Sequence, residues 1–382
     1  MTFLRIISTL DPAYGGPVEG LRQSVQALAP LGYPNEVVTL DPPDAPWLDS
    51  FPAPVQALGP SLGKYCYTPR LLPWLEWETA RYDAVIVEGI WQYHSFATWL
   101  ASRKAKFPYH IFPHGALDPW FKQQYPLKHL KKWLYWPWAE YQVLRDARTV
   151  LFTSEEEKRL AMQSFWLYRA NAKVINFGIS APPLDTRAQR KSFLQAFPTL
   201  ENKRFLLFFG RVHPKKGCDL LLQAFARLAP QYPDWMLVIA GPDAENTRPT
   251  LEQMARSLGI TEKVLWTGLL SGDKKWGALR ATDAFVLPSH SENFGVAVVE
   301  ALACGTLVLI SDKVNIWKEI ESCQAGLIAP DTLDGTTNLL RRWFELGVGG
   351  QAILRSNARS CYEKNFEVQT SAAKLIKTVQ ES

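Results

Sequence analysis

The 382-residue chain has no uninterrupted apolar stretch of roughly 18 residues, the length a membrane-crossing helix needs, so no span is predicted. Its first apolar run, Phe3–Ser8, is shorter than the h-region of a secretory leader and reads as a strand. Cysteine is sparse. Cys66, Cys218, Cys304, Cys323 and Cys361 are odd in number, far apart and without a Cys-x-x-Cys pair. That pattern excludes a disulfide-stapled scaffold and reads as reduced thiols in a cytosolic protein. Charge of one sign is lacking too: 42 Lys and Arg against 37 Asp and Glu leave a dispersed +5. A nucleic-acid binder concentrates its basic residues in one footprint, so no nucleic-acid partner is expected. Asp-x-Asp, Gly-x-Gly-x-x-Gly and His-Glu-x-x-His are all missing, which removes the usual sequence signals for a metal-bound diphosphate, a dinucleotide and a helical zinc site. What is present is a globular composition, 47% hydrophobic and 21% charged, with unusual amounts of Trp (15) and Pro (27). Most of both lie before residue 181.

Short apolar runs alternate with longer helical stretches throughout. Phe3–Ser8, Glu36–Leu40, Ala84–Glu88, His110–Phe112, Thr149–Thr153 and Val174–Phe177 form a first set of strands. Phe205–Phe209, Met236–Ala240, Val264–Thr267, Ala284–Leu287, Leu307–Ile310 and Gly326–Ile328 form a second. Runs that are apolar almost throughout fit parallel strands covered on both faces, and their alternation with helices means βαβ units. Gly178 to Lys203, with Pro182, Pro183 and Pro198, reads as a linker and a short helix. The expectation is an α/β protein of two doubly wound Rossmann-like domains, 1–180 and 181–361. A terminal helix over 362–382 carries apolar positions at Ala372, Leu375, Ile376 and Val379.

Four segments carry chemistry. In His290–Gly305 a strand ends, a loop holds Glu292, and a helix from about Phe294 or Gly295 carries Glu300. Free N–H groups at such a helix start suit a polar or anionic ligand, and carboxylates accept hydrogen bonds from sugar hydroxyls. The same two residues also fit a helix-start acid and a solvated helix position. Gly210-Arg211 to Lys216-Gly217 leaves another strand, where an Arg fork and a Lys point charge can bind a diphosphate. Gly15-Gly16 follows the first strand, where adjacent glycines allow a phosphate or sugar to approach the backbone or simply make a tight turn. Pro113-His114-Gly115 follows the strand ending at Phe112, whereas His110 on that strand reads as core.

Glu292 and Glu300 with seven residues between them, then Ala301 and Gly305, together with Gly210-Arg211…Lys216-Gly217, resemble the signature of retaining glycosyltransferases of the GT-B fold, family 4. The landmarks run from Gly15 to about Glu319. The extension Ala116–Trp120 resembles a subset that builds extracellular polysaccharides. Asn176-Phe177-Gly178 lacks the proline that often precedes this Asn-Gly, and Thr306 replaces the family's usual proline.

The resemblance implies two domains facing a cleft, the terminal helix crossing back onto the first, and transfer of a hexose from a UDP- or GDP-linked sugar with retained anomeric configuration. The acceptor implied is a carbohydrate or a lipid-linked saccharide. Arg211 and Lys216 would stabilise the departing diphosphate and Glu300 would hold the ribose. Glu292 with the amides of Asn293, Phe294 and Gly295 would meet the sugar hydroxyls, and Leu270 would meet the nucleotide base through its backbone. Gly15 and Gly16 would sit beside the diphosphate, and His114 would orient the sugar. No metal or other cofactor is expected. An epimerase on the same fold and a non-catalytic sugar-nucleotide binder are the alternatives, with a far longer phosphorylase class ranked last. Residues 120–138 interleave Lys122, Lys128, Lys131 and Lys132 with Trp120, Phe121, Tyr125, Trp133, Tyr135, Trp136 and Trp138. This fits an ordinary helix with Trp in the core, a basic aromatic face for an anionic membrane, which would place a cytoplasmic protein at the inner membrane surface, or aromatic stacking on an acceptor sugar.

Overall fold

Among the described residues the β-branched and aromatic runs form thirteen strands, all in parallel pairs. The computed structural model describes residues 1–382 apart from Tyr125, Ala244, Ser382 and the side chains of Phe121 and Gln123. Tyr125 and the Phe121 side chain of the basic aromatic stretch therefore lie outside the described residues.

One sheet runs in the order β3-β2-β1-β4-β5-β6-β7. Its strands are β1 (Phe3–Ile7), β2 (Asn35–Thr39), β3 (Val55–Ala57), β4 (Ala84–Glu88), β5 (Tyr109–Phe112), β6 (Thr149–Phe152) and β7 (Ala172–Val174). The other runs β10-β9-β8-β11-β12-β13. It comprises β8 (Arg204–Phe209), β9 (Trp235–Ala240), β10 (Val264–Gly268), β11 (Ala284–Leu287), β12 (Val308–Ser311) and β13 (Gly326–Ala329). Both are Rossmann-like sheets with the strand order turning back at the first strand of the set, the place where such folds bind ligands at the strands' carboxyl ends. The chain divides into two units, residues 1–180 with 367–382 and residues 181–366.

Three elements differ from the sequence reading. β3 is a three-residue edge strand with Val55 and Ala57 half-buried and Gln56 exposed, too short and too polar at Gln56 to stand out as an apolar run. β7 ends at Val174, three residues before the apolar run does. Ile175 and Phe177 are apolar for another reason: Ile175 packs beneath the terminal helix and Phe177 lies against His114, with ring centroids 5.3 Å apart. The terminal helix opens at Val368, not at 362, because Tyr362 is fully buried within the preceding Val348–Asn365 helix and the chain breaks at Phe366.

The Val368–Gln380 helix belongs to the first unit. Its Val368, Ala372, Leu375 and Val379 bury against Phe3, Ile86, Phe112 and Leu151 of the first sheet. A buried side chain of this size contributes about 1.5–3 kcal/mol, so this face anchors the end of the chain.

Candidate active site

In the second unit, two loops at strand carboxyl ends are locked together by backbone. The loop after β8 closes in a short turn over Pro214–Lys216 and ends at Gly217. There φ is +69°, and a Cβ would lie 2.1 Å from the Pro288 carbonyl oxygen. Only glycine fits. From the other side the Lys215 carbonyl accepts from the His290 N–H at 2.8 Å and the Ser289 hydroxyl at 2.9 Å. The loop after β11 is pinned in turn: the Glu292 N–H donates to the Lys313 carbonyl and the Asn315 N–H to the Glu292 carbonyl, both at 2.9 Å. It then enters the Val296–Ala303 helix through Gly295, whose cap carries no side-chain hydrogen bond.

These constraints bring predicted residues together. Lys216 donates to the Glu292 carboxylate. Burial, followed by the neighbouring Lys215 and Arg211 cations, pushes the Lys216 ammonium down to about 7. Arg211 is exposed on the same loop. One and a half turns into the helix, the buried Glu300 accepts from Lys275, whose ammonium also lies 4.6 Å from the Trp276 ring centroid. An uncapped helix start, a Lys–Glu pair and an exposed Arg on rigid loops can hold an anion at one end and hydroxyls at the other. Phe294 and Leu270 are buried, so only their backbones are available to a ligand. Asn293 is partly exposed and accepts from the Asn315 side-chain amide at 3.4 Å.

In the first unit, His114 ends the stretch after β5 in a left-handed conformation, φ +52°, followed by Gly115 at +75°. A non-glycine residue held there costs on the order of 1–3 kcal/mol, and such strain gathers at functional sites. Glu157 stabilises the turn: one carboxylate oxygen accepts the Gly115 N–H at 2.6 Å and the other the Thr153 N–H at 2.7 Å. His114 Nε2 lies 2.6 Å from Glu88 Oε2 at the end of β4. Glu88 is fully buried, and its other oxygen accepts from Arg5 Nε at 2.9 Å and from Arg5 Nη2. Burial would raise the Glu88 carboxyl, but Arg5 and then His114 reverse this and hold it below the usual range. Gly15 and Gly16 begin the Gly16–Leu28 helix, and a Cβ at either would meet only open space. The turn itself favours glycine at Gly15, where φ is +88°, whereas no packing inside this unit demands Gly16. His110 is buried, with Nδ1 2.5 Å from Thr149 Oγ1, and burial pushes it down to about 4, as a core histidine.

Sequence reasoning missed Arg5, Glu88 and Lys275. Arg5 sits inside an otherwise apolar strand, a charge with no solvent in reach, and that was the available signal for a buried partner. Lys275 on an ordinary amphipathic helix gave none. Among the described residues no group of three His, Cys, Asp or Glu side chains could hold a metal ion, and no helix is long and apolar enough to cross a membrane.

The geometry can be set beside known proteins. Residues 15–178 match the family model described as glycosyl transferase 4-like domain, and residues 189–360 match glycosyl transferases group 1. A D-inositol 3-phosphate glycosyltransferase of Rhodococcus erythropolis is 33% identical over 200 residues, 50% of this chain and 44% of that protein. The lipopolysaccharide core biosynthesis mannosyltransferase LpsB of Rhizobium meliloti is 28% identical over 63% of this chain and 74% of its own length. The chain thus spans about half the length of the first curated relatives it matches. Among solved structures, HepE of Anabaena, in complex with UDP and glucose, superposes with a TM-score of 0.79 at 20% identity over the whole of both chains. WaaG, a glycosyltransferase involved in lipopolysaccharide biosynthesis, gives 0.66 at 16%, also over both whole chains. The folds are shared, two parallel-sheet Rossmann-like units of the GT-B type, and with both halves matched the chain belongs to the group 1 glycosyltransferases of family 4.

Proposed function

We propose that the protein transfers a hexose from a nucleotide diphosphate sugar, UDP- or GDP-linked, to a carbohydrate or lipid-linked saccharide acceptor, with the anomeric configuration retained, in the building of a polysaccharide. The observation that carries the reading is the pair of locked loops that sets Lys216, Arg211, Glu292 and the start of the Val296–Ala303 helix on one rigid frame. Charge grows on the diphosphate as it leaves, so fixed cations there lower the transition state more than the ground state. Lys216 and Arg211 take that role without a metal. Glu300 accepts from the ribose, Glu292 and the amides of 293–295 bind the sugar, Leu270 offers backbone to the base, and Gly15 and Gly16 admit the diphosphate closely. His114 orients the sugar. No protein nucleophile is invoked; departure and attack occur on one face of the sugar, and the leaving phosphate takes the acceptor's proton. HepE, solved with UDP and with glucose, supports UDP as the first nucleotide to try.

A thermal-shift panel of UDP-, GDP- and ADP-sugars, followed by acceptor screening with the best donor, tests the reading, since stabilisation scales with ligand over Kd. Product anomers by NMR then test retention; an inverted linkage would overturn it.

The same proposal includes peripheral contact with an anionic membrane through 120–138. The Pro126–Tyr135 helix buries no residue. Leu127, Leu130, Trp133, Leu134 and Trp138 are exposed beside exposed Lys122, Lys128 and Lys131. Tyr135, Trp136 and Lys132 turn inward instead, Tyr135 meeting the Tyr65 hydroxyl. Trp136 is fully buried, donating to the Trp166 carbonyl at 2.8 Å, and the Lys132 ammonium lies 4.6 Å from the Trp91 ring centroid. Flotation with vesicles containing phosphatidylglycerol should retain the wild type and lose a Leu130→Ser/Leu134→Ser variant.

A further inference from the structure

An ion pair with both partners almost fully buried is an expensive way to brace a sheet, and it calls for a reason. Arg5 leaves the middle of β1 and meets Glu88 at the carboxyl end of the neighbouring strand β4. There the carboxylate is divided. Oε1 takes both Arg5 contacts and Oε2 faces His114 Nε2. Ser24 Oγ lies 3.4 Å from Arg5 Nη1, which braces the guanidinium from its far side. A second histidine, His94, approaches the Glu88 backbone carbonyl at 3.0 Å and not its carboxylate; burial drives it down to about 4, so it adds no competing charge. The His114 ring stacks on Phe112, with centroids 5.6 Å apart, and lies tilted against Phe177 at 5.3 Å. Its Nδ1 is buried and has no hydrogen-bond partner among the described residues.

We propose that Glu88, held by Arg5, is a positioning residue that locks His114 in the tautomer with the proton on Nε2, so that Nδ1 presents a lone pair to a hydroxyl of the substrate sugar. The chemistry follows from the carboxylate. Ionised and gripped by a guanidinium, Glu88 can only accept, so the nitrogen facing it must carry the proton. With the ring's single proton on Nε2 the remaining acceptor is Nδ1, the atom left without a hydrogen-bond partner among the described residues. A hydroxyl donates to such a nitrogen; a fluorine or a hydrogen in the same place cannot. The sugar specificity rests on the transferase reading above, whereas the tautomer does not.

Two measurements separate the parts. Long-range proton–nitrogen correlation of the ¹⁵N-labelled protein, with the His114 signal assigned from His114→Gln, should show a protonated Nε2 and a bare Nδ1 at neutral pH without ligand. A proton on Nδ1 would overturn the proposal. In Glu88→Gln the carboxamide can also donate, so the tautomers mix and turnover should fall roughly 10- to 100-fold with little change in KM for the nucleotide sugar, a loss of the size seen when a partner that orients a histidine is removed. Glu88→Asp should recover part of it. Should Glu88→Gln fail to fold, the wild-type spectrum still decides the tautomer. With UDP-glucose and its 2-, 3-, 4- and 6-deoxyfluoro analogues, one position should lose at least tenfold in kcat/KM in the wild type and nothing further in His114→Ala. Equal use of all four analogues would remove the hydroxyl contact. No turnover of any nucleotide sugar would refute the transferase reading and leave the spectrum to judge the histidine.

Discussion

The first unit and the second both place a carboxylate beside a cation near a strand's carboxyl end, and they do so in opposite ways. Arg5–Glu88 is sealed, with side-chain exposures of 1% and 0%. Lys216–Glu292 and Lys275–Glu300 are open at one side, with exposures of 16% and 19% for the first pair and 23% and 9% for the second. A sealed pair cannot trade partners, because any state in which it is broken leaves an uncompensated charge in low dielectric. An open pair can: on the proposed function an incoming diphosphate would replace Glu292 at Lys216 and release its carboxylate for hydroxyls. On that proposal one unit uses its ion pair as scaffolding for a histidine, and the other keeps its pairs as a resting state for substrate to rearrange.

The largest effect should expose this difference in stability. Glu88→Ala strands Arg5 and should cost about 3–5 kcal/mol in chemical denaturation. Glu292→Ala, at a partly solvated site, should cost about 0–1 kcal/mol. Equal losses would abolish the distinction between sealed and open pairs. Activity should rank them the other way for the open pair. Lys216→Ala removes the cation proposed to act on developing charge and should lower kcat/KM by about 10²- to 10³-fold at nearly unchanged stability, a loss of the size seen when one preorganised donor is removed. Arg211→Ala tests the neighbouring cation in the same assay, with a smaller loss because it is exposed. Near-wild-type turnover in both would withdraw the second-unit site.

How much of this could be read from residues differs between the two units for the same physical reason. In the second, the chemistry lies on loops with local signatures. Gly217 is demanded by the Pro288 carbonyl a Cβ would strike, and Glu292 and Glu300 are spaced along one loop and helix. The strands were legible to within a residue or two because buried parallel strands are apolar throughout. In the first unit the decisive pairing joins residues 83 apart through sheet register, Arg5 with Glu88, and register is invisible in a single strand. β3 was missed because an edge strand need not be apolar. The terminal helix was placed six residues early because apolar spacing does not reveal where one helix ends and the next begins.

The smallest effect is also the most direct test of an open pair. Burial and cationic neighbours push Lys216 down to about 7, below the ordinary lysine value, so it is mostly charged at pH 6 and loses its charge as pH rises through 7. The folded state then binds fewer protons than the unfolded state between about 7 and 10.5, which makes this group's effect on stability an increase with pH over that window. Diphosphate binding has the reverse sign. On the proposed function UDP is held by the ammonium, so above pH 7 its binding should draw in a proton, and affinity should fall by up to about tenfold per pH unit. Calorimetry at pH 8 in buffers of different ionisation enthalpy should register that uptake, and Lys216→Ala should remove both the uptake and the slope. Pure scaffolding like Arg5–Glu88 would give no such linkage, so a flat profile in the wild type would put Lys216–Glu292 in the same class as the sealed pair.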